Sequence, residues 1–320
     1  MIRDIAIKSL SKDGILQEKY DHMLATVGYE SRCVSIPSAM FQNSTEKCAI
    51  GFTHHKCLAY SANKDWFTSN NFILKEFQDA EFAIFLDEFC NQISNNSKDI
   101  IRVCIDISSM TRFRIASIFW KLFSLNNNKV LMVDFVYCIA EFNKPCIEDN
   151  PIITNAGAVI KEFAGWPDDP TLPTSAILGL GYEYNKALGA LEYIEPVEAW
   201  AFSPVSPDSR YDLDLANANK SLLSMIPKNK VLSYNLLRAV ETVFNLESLI
   251  YGTLKNTRPV IVPFGPKIFT LYALLVAAFH YPKIAVWRVS SGEYIDPVDR
   301  KGSDEFLGLS VKLTPPREKE

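Results

Sequence analysis

Apolar residues along this chain recur in short runs that predict strands, and most runs are followed by a polar turn and a helical pattern. The clearest strand covers residues 100–107, a nearly continuous apolar run typical of a parallel strand buried on both faces. Residues 113–125 then predict a helix, and residues 130–139 predict the next strand. This alternation of strand and helix predicts largely parallel sheets with helices on both faces.

The same plan occurs twice. The triplet Gly-Tyr-Glu closes an apolar run at residues 28–30 and again at residues 181–183, so that Gly181 follows Gly28 by 153 positions. The run 260–262 follows the similar run 103–105 by 157 positions. Two landmarks at nearly one spacing favour a duplication. The sequence therefore predicts an α/β fold of two tandem Rossmann-like halves that form a pseudo-dimer by internal duplication.

The predicted boundary falls in a segment rich in proline. Five prolines lie between residues 140 and 175, which makes a long helix or a central strand unfavourable there. We expect a first half at residues 1–150, a connector at 151–173 and a second half at 174–320. Within the first half, the apolar pattern of residues 60–98 is mostly helical. In the second half, the last predicted strand covers residues 284–289.

Composition narrows the class of protein. The chain is 48% hydrophobic and 22% charged with a net charge of −4, which is typical of a globular protein and argues against an extensive nucleic-acid surface. The apolar run 268–279 is long enough for a buried helix but too short for a membrane span. Seven cysteines without a CxxC pair favour reduced thiols in a cytoplasmic protein. No signal peptide is predicted at the first residues.

Four turns are predicted at the carboxyl ends of strands, where open α/β sheets bind ligands. They are residues 28–32, 106–112, 181–183 and 264–267. The second carries hydroxyls at Ser108 and Ser109, and it ends at Arg112, which with Arg114 could bind a phosphate. The alternative is that Ser108 or Ser109 only caps the following helix and the arginines are solvated.

The fourth turn pairs Gly265 with Lys267 at a predicted helix start. A lysine there opposes the helix dipole, so a bound anion would explain it, and the alternative is a lysine extended into solvent. Arg288, near the end of the last predicted strand, could reach the same cleft or pair with Glu293 or Asp296.

The two Gly-Tyr-Glu turns supply the remaining candidates. Glu30 and Glu183 could accept a hydrogen bond from a ribose, or simply be stabilised by a helix dipole. Glu30 and Asp106 are also the candidate acid and base if the protein is an enzyme. Further candidate ligand contacts are Gly28, Tyr29, Arg32, Gly181 and Tyr182.

Several common sites are absent from the sequence. There is no P-loop, no GxGxxG string, no GxSxG arrangement and no zinc-ligand spacing around the adjacent His54 and His55. We therefore expect no metal and no cofactor.

The loops 107–112 and 264–267 resemble those of the Rossmann-like nucleotide sensors of prokaryotic defence systems, the CARF and SAVED type. In those families a loop after a central strand, rich in hydroxyls, glycines and a basic residue, contacts a cyclic oligonucleotide. The first loop here lacks a glycine pair and the second has one glycine. The resemblance implies a bacterial, antiviral role with a nucleotide ligand and a protein partner.

Three hypotheses follow. The first is a binding protein for a nucleotide or another phosphorylated ligand, acting as a sensor or a subunit of a defence system. The second is an enzyme that cleaves an N-glycosidic or phosphoester bond of a nucleotide through Glu30 and Asp106. The third is a protein-interaction scaffold, which would bind no small molecule and would expose an apolar patch.

Overall fold

The computed structural model describes residues 3–54, 56–144, 153, 155–290 and 297–315. The chain forms two compact units. Unit 1 comprises Met1–Glu141 and Pro297–Glu320, and unit 2 comprises Phe142–Asp296. This division differs from the expected halves, because the end of the chain belongs with the first unit and the proline-rich segment belongs with the second.

Unit 1 contains a seven-stranded sheet and five α-helices in its described residues. The strands are β1 (Asp4–Leu10), β2 (Tyr20–Thr26), β3 (Ser44–Gly51), β4 (Ile73–Glu76), β5 (Ile100–Asp106), β6 (Val130–Ala140) and, after unit 2, β13 (Gly302–Thr314). The helices are α1 (Lys12–Gln17), α2 (Ser35–Met40), α3 (Tyr60–Ser69), α4 (Phe82–Asn95) and α5 (Arg112–Phe123).

Five of these strands are parallel and have the strand order of a Rossmann fold. The sheet order is β1-β13-β6-β5-β2-β3-β4, and β2 to β6 pair only in parallel with one another. Counted along the chain, the parallel strands are therefore arranged 3-2-1-4-5. All seven residues of β2 are buried, which is typical of a central parallel strand.

The strand β13 was not predicted. It pairs antiparallel with both β6 and β1, and so extends the first sheet after the chain has passed through unit 2. Residues Phe306, Leu307, Leu309, Val311 and Leu313 are buried in it. A long connection of this kind leaves no local sequence signal, since pairing between distant segments depends on the whole fold.

Unit 2 contains a six-stranded sheet and five α-helices in its described residues. The strands are β7 (Asn155–Ala158), β8 (Thr174–Gly179), β9 (Glu198–Val205), β10 (Val231–Asn235), β11 (Arg258–Pro263) and β12 (Ala285–Ser290). The helices are α6 (Lys186–Ile194), α7 (Arg210–Ala218), α8 (Lys220–Met225), α9 (Ala239–Thr253) and α10 (Lys267–Phe279).

The strands of unit 2 are ordered β10-β9-β8-β11-β12-β7. Strands β8 to β12 pair in parallel and again give the arrangement 3-2-1-4-5, with β7 antiparallel at the edge beside β12. Both units therefore belong to the α/β class, with mixed sheets. Helix α10 is buried along almost its whole length, which explains its continuous apolar run.

Short edge strands account for most of the differences from the predicted elements. β4 interrupts the helical stretch expected over residues 60–98, and β7 lies within the expected connector. β10 was also missed. β4 and β7 have only four residues each, too few for an alternating pattern to be distinguished from a helical one. No helix in the described ranges is long and apolar enough to cross a membrane.

Candidate functional site

In unit 1 the parallel strand order reverses between β2 and β5. β2 and β5 are neighbours, and the chain continues from β2 to β3 on one side and from β5 to β6 on the other. At such a reversal an open α/β sheet binds its ligands between the turns that follow the two strands, and we take this position in unit 1 as the candidate crevice. These are the turns at residues 28–32 and 106–112, which supply most of the predicted site residues.

Glu30, Arg32 and Ser109 are brought together at this crevice. Arg32 Nε donates to Glu30 Oε2 at 2.7 Å, and Ser109 Oγ donates to the same oxygen at 3.0 Å. Glu30 is 8% exposed and Arg32 is 4% exposed, whereas Ser109 is half-buried. The contact joins the turn after β2 to the turn after β5, so the two sides of the crevice share one carboxylate.

Tyr137, near the end of β6, completes the surroundings of Arg32. Arg32 Nη1 donates to the Tyr137 hydroxyl at 3.4 Å, and the guanidinium carbon lies 5.7 Å from the centre of the Tyr137 ring. Burial opposes the charge of Arg32, but Tyr137 and Glu30 outweigh it and raise the pKa of Arg32 above its ordinary value. Arg32 therefore stays charged and is already engaged by its own chain.

Asn63 on α3 hydrogen-bonds to the backbone of the first Gly-Tyr-Glu turn, and it was not predicted as a site residue. Its Nδ2 donates to the carbonyl oxygens of Gly28 at 2.9 Å and Glu30 at 3.0 Å. Asn63 is buried and lies 33 residues from Glu30 in sequence. The available signal was a polar residue on the buried face of α3, between Tyr60 and Phe67, and it gave no indication of its partner.

There is room for a side chain at Gly28. A Cβ atom added there would meet only the Thr26 methyl group, at 3.9 Å, and the turn does not require a positive φ. Tyr29 follows, half-buried, and burial, with a smaller effect of Glu30, raises its pKa. An unfilled position next to a backbone turn allows a ligand to approach closely.

Asp106 and Ser108 are buried in the turn that follows β5. Asp106 is 2% exposed, and its Oδ1 accepts hydrogen bonds from Ser108 Oγ and, at 2.9 Å, from Ser108 N. Ser108 Oγ in turn accepts from the backbone N–H of Cys138 at 2.8 Å. Both side chains therefore shape the turn itself, whereas the half-buried Ser109 reaches across to Glu30.

The arginines of the second turn differ from each other. Arg112 is the first residue of α5 and is half-buried. Arg114 is fully buried, and its guanidinium donates to Gly51 O, Phe77 O and Asp79 Oδ1, each at 3.0 Å. Arg114 is thus a structural residue. The predicted serine cap is also wrong, since Thr111 Oγ1 accepts from Arg114 N at 3.3 Å and caps the helix.

The corresponding position of unit 2, between β8 and β11, is filled by the protein's own backbone. A Cβ on Gly181 would lie 2.1 Å from Glu183 Oε2 and 2.5 Å from the backbone nitrogen of Gly265. Gly265 has φ +62°, and a Cβ there would lie 2.3 Å from Leu180 O. The two glycines therefore allow the two turns to pack directly together.

The other unit 2 candidates are placed around this closed turn. Glu183 is exposed, unlike Glu30, and the position that matches Arg32 at the 153-residue spacing is Asn185. Lys267 begins α10, and the Tyr182 ring lies 5.7 Å from that of Tyr211. Arg288 lies in β12 opposite Gly157 of β7, and its proposed alternative partners Glu293 and Asp296 lie outside the described residues.

A separate cleft of about 630 Å³ lies in unit 2. It is lined by residues at the amino ends of β8 and β11 and by three aromatic residues, Tyr251, Phe279 and Tyr281. It contains none of the predicted site residues.

In the described part of the chain no group of three or more His, Cys, Asp or Glu side chains could hold a metal ion. His55 lies outside that part.

No family model and no curated protein matches this chain. Among solved structures, the chain is similar to the cytoplasmic domain of a prokaryotic cation chloride cotransporter. The match covers 87% of this chain and 98% of the other at 9% sequence identity, with a TM-score of 0.25. A likeness at that level says nothing about function.

Proposed function

We propose that this chain binds a nucleotide or a related phosphorylated ligand, and that it does so in the crevice of unit 1. One observation carries the proposal: the reversal of strand order between β2 and β5 coincides with an open backbone turn at Gly28 and with the Glu30–Ser109 contact across the crevice. Crevices at such a reversal are where open α/β sheets bind nucleotides.

The side chains around the crevice suit a ligand with both hydroxyl and anionic groups. Ser109 and Glu30 can exchange hydrogen bonds with a ribose, since together they offer a donor and a charged acceptor. Arg112, the first residue of the helix after the second turn, supplies the positive charge for a phosphate. Tyr29, half-buried beside Glu30, offers a ring for a base.

We infer one ligand for each chain. The second Gly-Tyr-Glu turn has the same place in its sheet, but Gly265 and Glu183 already occupy the space in front of Gly181. Gly181, Tyr182, Glu183, Gly265 and Lys267 are then structural parts of unit 2. An origin of the two units by duplication remains a proposal, which is supported by their equal strand order and by the pair Asn63 and Asn219, 156 positions apart.

Binding is favoured over catalysis by the state of the two carboxylates. Oδ1 of Asp106 accepts both hydrogen bonds of Ser108, and Oε2 of Glu30 accepts from Arg32 and Ser109. Groups held in this way position a turn or a ligand, and proton transfer by them would require the crevice to rearrange. Turnover of a nucleotide that disappears in Glu30→Gln or Asp106→Asn would instead establish the enzyme.

The test is a panel of ribonucleoside mono-, di- and triphosphates and cyclic di- and trinucleotides, measured by thermal shift and titration calorimetry. We expect one molecule bound per chain. Arg112→Glu should lower the affinity at least tenfold, because a charge-assisted phosphate contact becomes a repulsion. Lys267→Glu, in the closed turn of unit 2, is the matched control and should bind normally. Loss of affinity in Lys267→Glu alone would contradict the assignment to unit 1.

Membership of a prokaryotic antiviral defence system is supported by the resemblance of the loops 107–112 and 264–267. The cyclic nucleotides of the panel test it, since a sensor of that type should bind one of them more tightly than any mononucleotide.

We place the protein in the cytoplasm, because none of the six described cysteines is in a disulfide. Burial raises the pKa of Cys33, Cys48 and Cys138 to about 12, which disfavours their thiolate form. Cys146 lies outside the described residues.

A protein partner is favoured by one surface of unit 2. Phe244 and Tyr251 lie seven residues apart on α9, so they share a face of the helix, and they are 55% and 62% exposed. Leu237, just before the helix, is also exposed. Sedimentation velocity of the wild type and of Phe244→Ser/Tyr251→Ser tests whether this partner is a second copy. Self-association that the double variant abolishes would identify it.

A further inference from the structure

The loop that carries Glu30 is held by a segment from the far end of the chain. Ser31 N donates to Asp299 Oδ1 and Ser31 Oγ donates to Asp299 Oδ2, both at 2.6 Å. The next amide, Arg32 N, donates to Arg300 O at 3.0 Å. Two of these three hydrogen bonds end on a carboxylate, which makes them stronger than bonds between neutral groups.

This segment, residues 297–301, stands at a particular point of the chain. Pro297 is where the chain returns to unit 1, and Glu141 is the last residue before it enters unit 2. Glu141 N donates to Lys301 O at 2.9 Å. The segment that leaves unit 1 is thus hydrogen-bonded to the segment that returns to it. The returning segment is also hydrogen-bonded to the loop of the candidate site.

The segment is anchored on its other side by β13. Gly302 begins that strand, and Ser303 Oγ donates to Ile139 O of β6 at 2.9 Å. β13 then pairs with β6 and β1 over most of its length. Because the segment leads directly into the sheet, Asp299 can favour one conformation of Ser31.

We propose that residues 297–301 are a latch on the binding loop, with Asp299 as its positioning residue, and that occupancy of the unit 1 crevice tightens this latch and the Glu141–Lys301 bond. The proposal rests on the proposed function, because it takes the crevice of unit 1 as the binding site. A ligand that binds only the latched loop strengthens the latch by the same factor by which the latch strengthens binding.

The consequence is regulation through the connections of unit 2. The same loop contacts the ligand at Glu30 and the latch at Ser31 and Arg32, so the two contacts are separated by one or two residues. Ligand binding therefore strengthens the hydrogen bond between Glu141 and Lys301, where the chain leaves and re-enters unit 1.

The experiment combines amide hydrogen exchange by NMR with calorimetry, using ADP as the probe, on the full chain. The variants are Asp299→Asn, Asp299→Glu and the exposed control Asp304→Asn. In the wild type, ADP should slow exchange at Ser31, Arg32 and Glu141. Asp299→Asn should lower ADP affinity about tenfold and abolish the effect at Glu141, because a neutral amide is a weaker acceptor. Asp299→Glu, which keeps the charge, should restore part of both.

Wild-type ADP affinity in Asp299→Asn would overturn the latch while leaving the proposed function intact. If ADP does not bind, hydrogen exchange measured without nucleotide tests whether Asp299 restrains the loop. Faster exchange at Ser31 in Asp299→Asn, but not in Asp304→Asn, supports the latch, and unchanged exchange overturns it. Calorimetry of the wild type reports separately on the proposed function, so the two failures are distinguishable.

Discussion

Asn63 donates from its side-chain amide to the carbonyl oxygen of Gly28 at 2.9 Å, and in unit 2 Asn219 makes the same contact with Gly181 at 2.7 Å. Each asparagine is buried and each follows the second parallel strand of its sheet. The carbonyl of the glycine in a Gly-Tyr-Glu turn is thus satisfied in both units by a side chain that the turn itself cannot supply.

Removing either amide should be costly. We expect Asn63→Ala and Asn219→Ala each to lower the free energy of unfolding by about 1–3 kcal/mol, because a buried carbonyl loses its donor. Urea unfolding measures this. The exposed Asn91→Ala on α4 is the control and should change stability by less than about 0.5 kcal/mol. An equal, small effect in all three variants would show that the amides contribute nothing specific.

The glycines of the two turns should respond in opposite ways to substitution. Gly28→Ala meets no atom closer than 3.9 Å, so its stability should change by less than about 1 kcal/mol. Gly265→Ala forces a Cβ to 2.3 Å from Leu180 O at φ +62° and should cost more than about 2 kcal/mol. Thermal unfolding distinguishes them. If Gly28 exists for ligand approach, Gly28→Ala should nevertheless weaken nucleotide binding, and unchanged binding would remove it from the site.

Much of this fold follows from local pattern, and the candidate site follows only partly. The central strands β2, β5, β8 and β11 were predicted from their apolar runs, because burial on both faces leaves a signal in consecutive residues. β13 was missed, because it is defined by pairing with β6 across the intervening unit. Asp299 was missed for the same reason, since nothing near it indicates that Ser31 lies opposite.

Arg114 illustrates what the sequence could not distinguish. A basic residue in the first turn of a helix predicts an anion, but the Arg114 guanidinium lies 3.5 Å from the centre of the Phe52 ring and binds two backbone carbonyls. Arg114→Lys should lower the free energy of unfolding by about 2–4 kcal/mol, because an ammonium group cannot reproduce the planar fork. Arg112→Lys, at a half-buried position, is the control in the same unfolding experiment. Equal losses would mean that the two arginines have similar roles.

The buried carboxyl of Asp134 gives a prediction for pH. Asp134 lies in β6, is 2% exposed, and accepts a hydrogen bond from the Tyr20 hydroxyl at 2.9 Å. Burial raises its pKa from the ordinary value of 3.8, and the hydrogen bonds from Ser310 and Tyr20 lower it less. The folded protein therefore holds this proton more tightly than the unfolded chain does.

The sign of the effect on stability follows from that difference. The contribution of Asp134 is fully present below pH 3.8 and is lost as the pH rises through the higher pKa of the folded state. Above the folded-state pKa the carboxylate is ionised while buried, and it is then destabilising. Asp134→Asn keeps an acceptor for Tyr20 without the charge, so it should raise the melting temperature at pH 7, with a smaller gain at pH 4. The exposed Asp99→Asn should show no such dependence. A variant less stable than the wild type by the same amount at both pH values would show that the carboxylate is needed for its shape and not penalised for its charge.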